Sequence, residues 1–312
     1  FNQSLDRFNT YAYYGWDILS NLQIWGGISY DHLDYPTNSE IPPLTTSQSS
    51  ESQVSPKVGF RWDPSEETTF RGLYTQSLGG VFFDNSIRLE PTQLGGFNHA
   101  FRSIIPESVA GLVPGSAFES FGIAWDQKFP TRTYLSVAAE LLRSDANRDQ
   151  GVFDFATLPA IPSTTQQTLD FEEQSLQITL DQLIDDQFGV GLSYRVSRAQ
   201  LDQRLPEIPS SVLATANQDL EAILHQARFY ARFNHESGFY SHLEGIWSQQ
   251  SNRGYSPNIP GDDFWQFNAF VGYRFYQRRA QIQLGILNIA DQNYQLNPLN
   301  LYQELARERM FI

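Results

Sequence analysis

Cysteine is absent from the 312 residues, so the chain holds no disulfide frame, no thiolate nucleophile and no zinc–thiolate site. Positive charge is scarce: 21 Lys and Arg stand against 35 Asp and Glu, a net charge of −14. A general binder of phosphate backbones needs clustered basic residues, so a nucleic-acid partner is excluded. No apolar run reaches about 18 residues, which excludes helical membrane spans. Only 18% of residues are charged while 40% are hydrophobic and 14% aromatic, the opposite of a disordered composition. No charged n-region and apolar h-region precede Phe1, so a signal peptide is expected to be removed or to lie outside this sequence. Arg309-Met310-Phe311-Ile312 reads as the start of a strand. The sequence is therefore expected to be part of a longer chain.

What is present is a period of two. Phe188, Val190, Leu192, Tyr194 and Val196 alternate with Gly, Ser and Arg. Val58, Phe60 and Trp62 alternate with Lys57, Gly59 and Arg61; Leu135, Val137, Ala139 and Leu141 do so with Tyr134, Ser136, Ala138 and Glu140. Ala227 to Phe233 and Trp265 to Phe275 repeat the pattern. Successive side chains on a strand point to opposite faces, so each run has one apolar and one polar face. The 16 prolines fall between the runs or at their first residues, where the missing N–H removes no ladder bond. Helical spacing is not sustained anywhere. The fold class is expected to be all-β.

The connections divide into two kinds. Short ones occur at Ser20-Asn21, Asp63–Glu67, Phe129–Arg132, Asp185-Asp186, His235–Gly238 and Tyr276–Arg279; long ones run over 35–54, 79–116, 145–167, 202–218, 252–261 and 291–307. The two kinds alternate strictly. A sheet that zigzags through a slab has tight turns on one side and long loops on the other, as outer-membrane barrels do. The runs are 10–15 residues long, enough to cross a bilayer at a tilt, which takes about 9–11. Trp16, Trp25, Trp62, Trp125, Trp247 and Trp265 stand mostly near run ends, where rings with one apolar and one wet edge favour the membrane boundary.

In hydrocarbon an unpaired backbone group costs several kcal/mol, so a spanning sheet must close on itself. The expectation is an antiparallel transmembrane β-barrel of the outer-membrane type. It is incomplete in this chain, with about 13–14 strands, short periplasmic turns and long extracellular loops, and residues 1–312 form one domain. Either strands are missing upstream, the preferred reading, or 79–116 hides one near Gln93–Phe101. The polar face carries both signs of charge and is expected to line the lumen through Arg61, Arg71, Glu140, Arg195, Arg228, Arg232, Glu244 and Arg274, with Lys57, Asp126, Asp181 and His242 beside them.

Four stretches resemble the C-terminal barrel of TonB-dependent outer-membrane receptors, of a divergent subgroup. They are Tyr11–Trp16 with Gly27–Asp31, Ser55–Phe60 with Thr68–Tyr74, Arg88-Leu-Glu-Pro-Thr92, and Gly285-Ile-Leu-Asn-Ile-Ala-Asp-Gln-Asn-Tyr294 with Arg307-Glu-Arg309. They occur in the family's order and span most of the chain; the last is the most specific. The resemblance implies energised uptake of a scarce nutrient such as an iron chelate, cobalamin or a glycan. It also implies a TonB-type partner, engaged through an N-terminal part absent from this sequence. The stretch from Leu78 to Gln93 departs from ordinary receptors. It points to a divergent subgroup that includes barrels appended to helical repeats that export polysaccharide, so an export or passive pore is the alternative to uptake.

No catalytic motif is present. The five histidines have no metal-ligand spacing, and Asp185-Asp186 and Asp262-Asp263 read as solvated turn carboxylates, so neither a metal nor a cofactor is expected. An outer-membrane hydrolase or adhesin is the remaining, weaker alternative, because a Ser/His/Asp set is recognised by geometry alone. Binding residues concentrate on loops held by a rigid scaffold. The candidates are therefore Phe82, Phe83, Arg88, Phe97 and Phe101, which combine aromatic faces with a cation suited to a small-molecule or glycan ligand. Outer-membrane lipid and lipopolysaccharide are the other expected partners.

Overall fold

The structure, a computed structural model, describes residues 4–38, 42–79, 90–91, 93–98, 114–156, 158–275, 279–294, 296 and 308–312. The strands are β1 (Asp6–Leu19), β2 (Leu22–Pro36), β3 (Gln48–Trp62), β4 (Thr68–Gly79), β5 (Gln93–Leu94), β6 (Phe97–Asn98), β7 (Ser116–Lys128) and β8 (Thr133–Asp154). They continue as β9 (Ile161–Leu183), β10 (Phe188–Arg204), β11 (Asn217–Asn234), β12 (Phe239–Arg253), β13 (Asp263–Phe275), β14 (Ala280–Leu287) and β15 (Met310–Phe311). Among the described residues there is no helix. Thirteen strands form one antiparallel sheet in chain order, with the β5–β6 hairpin as a separate two-stranded unit. Gln93–Asn98 is thus a hairpin and not a further barrel strand. β1 and β15 do not pair with each other among the described residues, so the sheet is an open arc.

Turn chemistry fixes the tight side. Asp185 Oδ1 accepts hydrogen bonds from the amides of Gln187 (2.8 Å) and Phe188 (2.6 Å), an Asx turn that reverses the chain between β9 and β10. Gly238 closes the β11–β12 turn at φ 102°, where a Cβ would come within 2.1 Å of the Arg274 carbonyl oxygen. Only glycine fits there.

Several expected loops are strand. β8 and β9 run for 22 and 23 residues and pair from Thr133↔Gln182 to Asp154↔Ile161, so most of 145–167 is hairpin. Pro56 lies inside β3, paired with Ile28. The β3–β4 ladder reaches from Trp62 to Lys57 and no further, so the missing N–H sits where pairing on that side ends.

The extra length has a physical signature. On the lower part of β9 the outward residues are Leu176, Ile178 and Leu180, each about 40% exposed, and the inward ones are Ser175, Gln177 and Thr179. Above Gln174 the faces exchange: Glu172 and Asp170 point outward, while Phe171 and Leu169 are buried inside. The same exchange follows Val196 on β10, where Ala199 and Leu201 turn inward fully buried. It recurs after Ala227 on β11, with Leu224, Ala222 and Leu220 inside, and at Phe118 on β7. The register places Val196 beside both Leu176 and His225, so the crossover forms one level across neighbouring strands. Below it the apolar face is exposed, as hydrocarbon demands; above it the apolar face is inside, as water demands. The upper core is completed by Phe264, Tyr294 and Leu296, with the Phe264 and Tyr294 rings stacked at 4.2 Å.

Above the crossover, Asp145, Asp170, Asp202 and Asp219 stand directly opposite one another on β8 to β11. Like charges so placed are destabilising. Burial, then the neighbouring Asp145, raises the Asp170 carboxyl above the usual range, and burial, then Asp219, does the same for Asp202. Glu172 moves the other way, lowered chiefly by its hydrogen bond from Arg143. For a raised carboxyl, the stabilising contribution is present below the unfolded-state pKa and is lost as pH rises through the folded value. Asp170→Asn is therefore expected to stabilise the protein at neutral pH by a few tenths of a kcal/mol. The gain should vanish below about pH 4, the ordinary carboxylate range, as read from urea unfolding midpoints at the two pH values.

Candidate functional site

The inner face below the crossover carries two groups of functional side chains. The first spans β10 to β13, which alternate so that Arg195, Arg228, Tyr230, Arg232, His242, Glu244 and Asn268 share one face. The Arg228 and Arg232 guanidinium carbons lie 5.6 and 4.7 Å from the centroid of the Tyr230 ring, and the Tyr230 hydroxyl donates to Asp181. Arg228 pairs with Glu244, whose other oxygen accepts from Asn268 Nδ2 at 2.8 Å. Asn268 Oδ1 in turn accepts the amide of Asn288 at 2.9 Å. His242 packs between Tyr230 and Phe270, at ring separations of 6.1 and 5.7 Å. Arg274 stands nearer the turns, 4.1 Å from the Tyr240 ring centroid, and donates to Asn234 Oδ1 at 3.0 Å. Arg61 is half exposed and pairs with Asp63 of the adjacent turn.

Asn288 explains the closing signature. It is buried with φ 52°, a left-handed conformation that asparagine tolerates. Its side chain exchanges two 2.9 Å hydrogen bonds with the Gln292 backbone, and Asp291 accepts the Arg309 amide at 2.9 Å. The signature thus folds the chain back over the inner face at the level of Glu244.

The second group seats the hairpin on the inner wall. Lys57 on β3 is fully buried and pairs with Glu90, 2% exposed; Lys57 also donates to Ser29 Oγ at 3.1 Å, and the Tyr13 hydroxyl donates to Glu90. The hairpin tip meets wall positions without side chains. A Cβ on Gly59 would lie 3.0 Å from Leu94 Cγ, and one on Gly122 would lie 2.9 Å from the Phe97 ring. Gly95 lies against the wall backbone, where a Cβ would come within 2.8 Å of the Gly72 carbonyl oxygen. Leu94 and Phe97 pack with Leu73 and Ala124. Arg71 ties the hairpin laterally: it donates to the Gly96 carbonyl at 3.2 Å, lies 5.3 Å from the Phe97 centroid, and holds Asp126 with contacts of 2.7 and 3.2 Å.

Of the residues singled out from sequence, Arg71, Phe97, Glu140 and Arg195 meet around one cavity. Arg228, Arg232 and Glu244 form a second cluster, while Arg61 and Arg274 stand apart near the turns. Phe97 is buried in the hairpin seat and does not face the exterior. Phe82, Phe83, Arg88 and Phe101 lie outside the described residues. Sequence reasoning passed over Asn268 and Tyr230, since a single Asn or Tyr on a polar face carries no motif. Lys57 and Glu90 stand in separate sequence stretches, each with its own motif, and nothing in either stretch signals that they meet.

With this geometry in hand, the chain is similar to solved outer-membrane barrels. The ferripyoverdine receptor of the Pseudomonas aeruginosa outer membrane superposes with a TM-score of 0.55 over 91% of this chain and 41% of its own, at 12% identity. The ferric-catecholate import receptor Fiu of E. coli K12, in its closed form, gives 0.54 over 98% and 44%, at 15% identity. The copper transporter OprC gives 0.54 over 98% and 47%, at 11% identity. The chain spans less than half the length of each. No family model matches the sequence, and no curated protein matches it. The fold is that of an outer-membrane antiparallel β-barrel wall. Within that class, the barrels it resembles are those of receptors and transporters, as the sequence resemblance implies.

Removing one member of a buried ion pair leaves the other uncompensated, at a cost of about 3–5 kcal/mol, whereas replacing both by apolar groups is often neutral. Lys57→Met alone is expected to destabilise the protein by about that amount, and Lys57→Met with Glu90→Leu to recover most of it. Urea unfolding of the single and double variants checks this.

Proposed function

We propose that this chain is part of the wall of an outer-membrane transport barrel that takes up a scarce small molecule or glycan, with energy supplied by a TonB-type partner. The partner is engaged through sequence outside these residues, and residues 1–312 belong to a single barrel domain. The observation that carries the reading is the segregation of faces. An exposed apolar band surrounds the lower strands, while the opposite face holds Arg61, Arg71, Glu140, Arg195, Arg228, Arg232, Glu244 and Arg274. A charge facing lipid at the midplane costs about 2–4 kcal/mol for Arg or Lys, so in this reading that face borders the lumen. Phe82, Phe83, Arg88 and Phe101 contribute to ligand capture. Lipid acyl chains contact the apolar band, and lipopolysaccharide headgroups surround the charged extension.

A second reading, a polysaccharide-export or passive pore, draws on the hairpin at 93–98. Its fixed seat puts a segment of this same chain against the inner wall. Single-channel recording of the full-length protein in planar bilayers separates the two. The uptake reading predicts a closed protein with no steady conductance. A constitutively open channel overturns it in favour of the pore.

A further inference from the structure

The hairpin stands off the wall on one side, and the space left there is built. A cavity of about 360 Å³ lies between the hairpin and the inner faces of β7 to β10, lined by Arg71, Phe97, Ser136, Glu140, Gln177 and Arg195. That volume is at the small end of the range for ligand pockets and matches roughly one to two sugar rings. Its boundary is held from both sides. The Lys57–Glu90 pair and the bare glycine seat fix the hairpin, and Ser136 donates to Asp126 at 2.6 Å behind Arg71. A site with locked walls loses little entropy when it is filled.

The chemistry of the lining selects the ligand. Arg71 is balanced by Asp126, and Arg195 shares the cavity with Glu140, whose carboxylate makes no hydrogen bond or ion pair among the described residues. Two cations thus face two carboxylates, so a multiply anionic chelate would bring charge that the walls do not offset. Donors and acceptors nevertheless alternate: guanidinium groups donate only, Glu140 accepts only, and Gln177 and Ser136 do both. A neutral polyol, whose hydroxyls each donate and accept, meets such a surface without leaving a group unpaired.

We propose that this cavity is a binding subsite for a neutral saccharide unit, passed along the inner wall beside the hairpin. The inference rests on the reading of the chain as a transport barrel and names the chemical class of its cargo. Saturation-transfer NMR on the full-length protein in detergent tests it, with maltose and cellobiose as probes and galacturonate as the anionic control. Saturation transfer to at least one neutral disaccharide is expected. Its affinity should fall about tenfold in Glu140→Gln or Gln177→Ala, the scale of one hydrogen bond to a charged or buried group. Absence of transfer to both disaccharides overturns the proposal, and that is the outcome if another part of the full-length protein fills the cavity. Preference for galacturonate, or binding unchanged in both variants, overturns it as well. Heat-modifiable migration of the same variants in outer-membrane fractions reports the barrel itself, so a failed subsite is distinguishable from a failed barrel.

Discussion

A strand can satisfy two media only if its side-chain alternation changes phase where the medium changes, and β7 to β11 do so at one level. Below it, Leu176, Ile178 and Leu180 face out and Gln177 and Thr179 face in; above it, Asp170 and Glu172 face out and Leu169 and Phe171 face in. The backbone pairing runs through this level without interruption. The exchange is therefore made by residue choice alone, and it draws the hydrocarbon boundary onto the barrel wall. Everything functional takes its position from that line. The charged inner clusters lie below it, surrounded by lipid on the far side of the sheet. The closed upper core of Phe264, Tyr294 and Leu296 lies above it.

The wall is also furnished from within. The chain between β4 and β7 returns to the inner face through the Glu90–Lys57 pair and lays Leu94, Gly95 and Phe97 against three wall glycines. A buried ion pair contributes little net stability compared with an apolar replacement; its value here is register, since one carboxylate meets one ammonium and the hairpin can dock in one place. A further contact between wall and loop is the Arg228–Glu244–Asn268–Asn288 chain, which anchors the segment after β14. Two of the long connections are thus tied to the inner face of the sheet by polar side chains that sit on its strands.

Much of this was legible in the residues. Period-two runs such as Phe188 to Val196 marked the strands and the two faces of each, and the tight turns fall where the short connections were expected, while the long connection expected over 145–167 is mostly paired strand. What the sequence concealed was the upper third. Past Val196 the chain reads Ser-Arg-Ala-Gln-Leu-Asp-Gln-Arg, whose apolar positions have changed face and are few and small, so a continuous strand looks like a polar loop. The meeting of Lys57 with Glu90, 33 residues apart, was equally hidden, because each lies in a stretch with its own local explanation. Pro56 misled for a simpler reason: it lies at the point where the ladder on one side stops, and sequence does not show where a ladder stops.

The phase exchange is open to direct measurement, and the lack of native cysteine in this sequence makes single-site labelling straightforward. Spin labels placed at Leu192, Ser193 and Gln200 of β10 in liposomes report contact with oxygen, which concentrates in hydrocarbon, and with a water-soluble nickel chelate. High oxygen and low nickel accessibility at Leu192, with the reverse at both Ser193 and Gln200, is the predicted result. Nickel accessibility at Leu192 equal to that at Ser193 would contradict the account, because the apolar rows would then face water and the barrel reading would fail with them.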